Sequence, residues 1–186
     1  MATPTTLPAT FTAGQVLTAA QMNDLRGGFR VLQVLSTAKI DTFSSSSTSY
    51  TDVTGLSVAI TPQFSTSKIL VMAQINAGVT NTANSNAHFK LVGGNTASYL
   101  PAAAGSRTLA EYSLRFRGSA SEMGYWGADN GFIQYLDSPA TTSATTYKVQ
   151  IVVPIGTGYV NRAGEDVDNS SASRLSSSIT VMEISA

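Results

Sequence analysis

The chain has 186 residues, only 12% of them charged, with a formal net charge of zero and no cysteine. That length supports one well-buried domain with a terminal arm. The absence of cysteine excludes disulfides, thiol catalysis and thiolate metal sites, and the neutral balance gives neither the basic footprint of a nucleic-acid binder nor the electrostatic drive toward a membrane.

Residues 1–28 form the expected arm, and a short helix is predicted over about 18–26, within the stretch FTAGQVLTAAQMNDL at 11–25. Thr18 and Gln21 have capping-box spacing, Leu17 and Met22 flank them as a hydrophobic staple, and Gly27-Gly28 supplies the stop. A helix of about two turns is marginal alone, so its apolar face needs a partner surface. The N-terminus lacks a basic region followed by an apolar core, and no run approaches about 18 apolar residues, so a soluble protein made inside the cell, without membrane insertion, is expected.

From Phe29 onward the apolar period changes to two. FRVLQVLS places Phe29, Val31, Gln33 and Leu35 on one side, and TGLSVAITP alternates at Leu56, Val58 and Ile60 until Pro62 ends it. SKILVMAQINAGV is longer and more apolar, the pattern of a central strand. AHFKLVGGN carries Phe89 and Leu91 on one face before a Gly93-Gly94-Asn95 turn, and EYSLRFRG, GFIQYLD, TTYKVQIVVP and SSITVMEIS repeat the alternation. Turn residues separate these strands at roughly the 8–12-residue spacing of sandwiches and barrels, so residues 29–186 are expected to form an all-β, antiparallel β-sandwich of jelly-roll-like type. SSSST at 44–48, NTANSNA at 81–87 and VNRAGEDVDNSSAS at 160–173 read as exposed loops.

Chemistry-bearing groups are sparse. His88 is the single histidine and lies at a strand start, where a structural or surface role is the ordinary one, and no GxSxG nucleophile motif exists. Glu111, Glu122, Asp129 and Asp137 lie near aromatics, a proximity that eleven scattered acids produce by chance. Glu165, Asp166, Asp168 and Asn169 offer hard oxygens of the kind calcium takes, without an EF-hand's flanking helices or terminal glutamate, so a solvated acidic loop paired with Arg162 or Arg174 is expected. IGTGYVN lacks the third glycine and the helix of a nucleotide loop. No enzyme, cofactor or metal is expected. Tyr125 and Trp126, framed by glycines, and Tyr99 are candidates for receptor or interface contact, because rigid rings give large contact area at low entropic cost.

The stretch FTAGQVLTAAQMNDL, followed by VLQVLSTAKIDTFSSSSTSYTDVTGLSVAITPQFSTSKILVMAQI, resembles a family of tailed-bacteriophage virion proteins, and YLDSPATTSATTYKVQ and SSSITVMEI extend the likeness over most of the chain. The N-terminal motif is similar to the start of many tail-fibre, neck and other virion-appendage proteins. The remainder is similar to compact β-domains at fibre ends or on capsid surfaces, and to trimeric jelly rolls of the tumour-necrosis-factor-like type. The resemblance implies a homotrimeric structural protein of the virion, either a tail fibre or spike, or a capsid decoration or head-fibre protein. It implies that residues 1–27 dock to another virion protein, with Phe11, Val16, Leu17, Met22 and Leu25 entering an apolar groove, and that the β-domain contacts a host surface glycan or protein. Aromatic residues with outward strand positions, Phe116, Tyr125, Tyr135 and Tyr147, are expected at subunit contacts.

Overall fold

Among the described residues, period-two alternation becomes ten strands in chain order: β1 (Val31–Lys39), β2 (Phe43–Ser45), β3 (Thr51–Ile60), β4 (Lys68–Val79), β5 (Asn86–Val92), β6 (Tyr112–Arg115), β7 (Asp129–Asp137), β8 (Thr145–Ile155), β9 (Gly158–Val160) and β10 (Ser177–Ile184). The computed structural model describes residues 14, 16, 18, 19, 31–80, 82–116, 128–170 and 172–185. Most of the predicted helix and of the arm, including Phe11, Leu17, Met22 and Leu25, lies outside the described residues, as do Tyr125 and Trp126. Val16 is described and exposed.

All strand pairing is antiparallel. The first sheet runs β1-β10-β4-β9-β2, with β7 on the other edge of β4, and the second runs β3-β8-β5-β6. Two of the first sheet's strand lines are interrupted rather than separate. β10 pairs with β4 from Lys68 to Gln74, and β9 continues along the same edge of β4 from Ala77 to Val79, so the chain leaves this line at Asn161 and rejoins it at Ser177. β1 and β2 follow suit, pairing with β10 and β9 in turn. Eight strand lines in two four-stranded sheets make the double Greek key of a jelly roll.

Asn161 holds the broken lines together. Its backbone sits in the left-handed region at φ 64°, which asparagine tolerates. Its N–H donates to Asn76 O at 2.8 Å, its Nδ2 donates to Lys39 O and Asp41 O, and its Oδ1 accepts from Ser177 Oγ at 2.6 Å. A short polar side chain thus replaces the ladder bonds that the break removes.

Inward-facing residues of both sheets form one core: Ile69, Val71, Ala73 and Ile75 from β4, and Tyr147, Val149, Ile151 and Val153 from β8, among others. In β3 the register shifts between Asp52 and Ser57, and Gly55 takes φ 81° there, so Val53 and Leu56 both point inward despite their odd spacing. β2 and β9, which reach into the edges of the stretches 44–48 and 160–173 read as loops, are three-residue strands that complete the first sheet.

Candidate functional site

The outward residues of the two sheets differ in kind. On the first sheet the registers align three rows straight across β1, β10, β4 and β7. One row is Val34, Met182, Leu70 and Leu136; the next is Ser36, Thr180, Met72 and Gln134; the third is Ala38, Ser178, Gln74 and Phe132. None of these side chains is charged. Val34, Phe132 and Leu136 are each more than half exposed, at 52%, 57% and 51%. Charges stand at the borders: Lys68 turns its Nζ to Ser138 Oγ at 2.7 Å, and Arg174, beside the third row, pairs with Asp166.

The second sheet's outer face is ordinary protein surface. Asp52, Gln150 and Lys90 share one row, Ser57, Lys148 and Val92 the next, and Arg115 lies opposite Asn86. Lys148 Nζ pairs with Asp52 Oδ2 at 2.6 Å, Gln150 Nε2 donates to the other carboxylate oxygen, and these bonds hold Asp52 below the usual carboxylate range. Lys90 lies 4.1 Å from the centre of the Tyr50 ring, while burial pushes the Tyr50 phenol up to about 12. His88 Nδ1 and Ser113 Oγ are 2.8 Å apart on this same face, and burial holds the imidazole below its ordinary value.

The acids read from sequence scatter. Asp137 is buried, and accepts Tyr147 Oη at 2.6 Å and the N–H groups of Asn95 and Ser138; a Cβ on Gly94 would come within 1.9 Å of its Oδ2, so glycine is required there. Glu111 caps the Leu91 N–H at 2.6 Å, and burial raises its carboxyl above the glutamate range. Glu183 is also buried; desolvation works against its charge, but hydrogen bonds donated by Gln33 Nε2 and the Gln63 N–H win and lower it. Asp166 pairs with Arg174 at 2.6 Å and Arg162 at 3.5 Å, as expected of a solvated acidic loop. Among the described residues no group of three or more His, Asp or Glu converges as a metal site. No helix of the described residues is long and apolar enough to cross a membrane.

Of the aromatic candidates, Tyr99 is 45% exposed and stacks on Tyr135 with ring centres 4.9 Å apart. Tyr135 and Phe116 pack against the core, and Tyr147 points fully inward, where its ring fills the interior and its hydroxyl meets Asp137. The outward placement expected for Phe116, Tyr135 and Tyr147 is therefore corrected: Phe116 and Tyr135 lie against the core, and Tyr147 shares strand parity with Val149 and Ile151. The groups that sequence reasoning missed are Val34, Leu70, Phe132, Leu136 and Met182, whose common signal is an apolar residue at the solvent parity of a strand. Beside them, a shallow cavity of about 520 Å³ opens where Arg174, Leu175 and Ser176 overhang Ala38, Gln74 and Ser178.

No protein-family model matches the chain, and no curated protein matches it.

Proposed function

We propose that this chain is a structural protein of a tailed-bacteriophage virion: a homotrimeric tail fibre or spike whose residues 1–27 dock to another virion protein and whose jelly roll contacts the host surface. The single observation that supports an assembling, non-enzymatic role is the uncharged outer face of the first sheet, set against the charged face of the second. Exposed apolar surface of that extent marks contact with other macromolecules. The sequence resemblance supplies the virion, and the arm's five apolar residues, Phe11, Val16, Leu17, Met22 and Leu25, supply the anchor. Burying each contributes about 1.5–3 kcal/mol, and three arms add avidity where geometry lets all engage.

Mass spectrometry of purified particles of the encoding phage tests the reading first, with the chain expected among the virion proteins. Immunogold labelling then locates it. Label at the tail, with antibody blocking adsorption, supports the fibre. Label over the head, with particles losing heat resistance but not adsorption when the chain is deleted, moves the protein to capsid decoration.

A further inference from the structure

We infer that the outer face of β1-β10-β4-β7 is where copies of this chain meet one another; the inference rests on the assembling role proposed above and names the partner of that surface. Three features select a second copy over a different occupant. The face is uncharged, and at zero net charge the protein offers a foreign partner no long-range attraction. Its polar members, Ser36, Thr180, Gln74 and Gln134, carry hydroxyls and amides that both donate and accept, so the same groups on a neighbouring copy satisfy them and no charge is stranded on contact. Its size also fits: four strands about 4.8 Å apart, over the five residues of about 3.4 Å that the three rows span, cover about 330 Å² of sheet plane, within the roughly 300–600 Å² of a contact-forming patch. Val34, Leu70, Met182 and Leu136 form one unbroken apolar row, the natural centre of the contact.

The other available occupant is the chain's own residues 1–30, which join β1 at the border of this face. Light scattering on the chromatographed full-length protein separates the two. The wild type is expected at a multiple of the chain mass, Leu136→Lys and Val34→Lys at the single-chain mass with the wild-type far-UV spectrum, and Ala59→Lys, on the second sheet's outer face, at the wild-type mass. A reading free of variants is methionine oxidation by peroxide: Met72 and Met182 are expected to become severalfold more protected as concentration rises and the oligomer forms. A monomeric wild type overturns the proposal and hands the face to residues 1–30 or to a foreign protein. So does an oligomer that survives both lysine substitutions, or one whose two methionines oxidise at the same rate at every concentration. The virion reading fails independently, if the chain is missing from purified particles, and that result leaves the masses unchanged.

Discussion

Beneath its two sheets the chain follows one rule, and above them it follows two. β4 and β8 each send every second side chain into the shared core, Ile75 and Ile151 among them, both wholly buried. Outward from β8 and its neighbours come Lys148, Lys90, Asp52 and Arg115; outward from β4 and its neighbours come Leu70, Met72, Met182 and Leu136. An antiparallel sheet tolerates water on one face, and the second sheet uses that licence fully. The contrast teaches that the inward residues specify the jelly roll, while the outward ones are free to be chosen for what the domain meets.

The largest expected effects test whether the interior is common to both sheets. Ile75→Ala and Ile151→Ala should each cost about 2–5 kcal/mol in urea denaturation and should agree closely, because each empties the same core from opposite sides. A cost confined to one of them would mean that the sheets are stabilised separately. Asn161→Ala should come next, at about 2–3 kcal/mol, since it removes the donor to Lys39 O and Asp41 O and the acceptor of the Ser177 O–H, whose oxygen keeps only the Asn76 N–H. This loss falls on the first sheet alone, and hydrogen exchange should rise in β1, β9 and β10 before it rises in β8.

Smaller effects sharpen the comparison through two glutamates shifted in opposite directions. Glu183, in the first sheet, sits below its unfolded value, so its stabilisation is complete above the ordinary glutamate range and is lost as pH falls through the folded value. Glu111, beside the second sheet, sits above its unfolded value, so its contribution is complete at low pH and is lost as pH rises through the folded value. Urea midpoints followed from acid to neutral pH should show Glu183→Gln flattening the acid-side decline and Glu111→Gln flattening the loss on the rising side. The smallest effect belongs to the surface: Lys148→Ala, which removes the exposed pair with Asp52, should cost less than about 1 kcal/mol, a difference that shrinks further in high salt.

Much of this was legible in the sequence, because the long strands alternate cleanly. Leu56, Val58 and Ile60, Phe89 and Leu91, and Ile179 and Val181 announce their inward parity, and Pro62 and Gly93-Gly94 announce where strands stop. β2 and β9 were not legible: three residues of Ser, Gly and aromatic character contain no period, and their pairing is imposed by β4 and by Asn161. Tyr147 was misplaced because an aromatic with a polar end suits an interface or an interior equally, and the choice depends on Asp137, a neighbour only in space. The uncharged face was half legible: the apolar run at Ile69–Met72 marks a strand apolar on both sides, but the alignment of Val34, Met182 and Leu136 with Leu70 comes only from register.

The break between β9 and β10 has a consequence for how this fold can vary. β9 and β10 each take their register from β4, and the ends of the intervening segment are tied by the Arg162–Arg174 bridge and by Leu175 N donating to Asn161 O at 3.1 Å. The length of chain between those ties is therefore uncoupled from the sheet. Doubling it would cost only about 0.6 kcal/mol of closure entropy. Foreign sequence grafted into the segment near Asp168 should leave the sandwich intact, which makes this the natural place for the domain to acquire a new epitope or be engineered to display one.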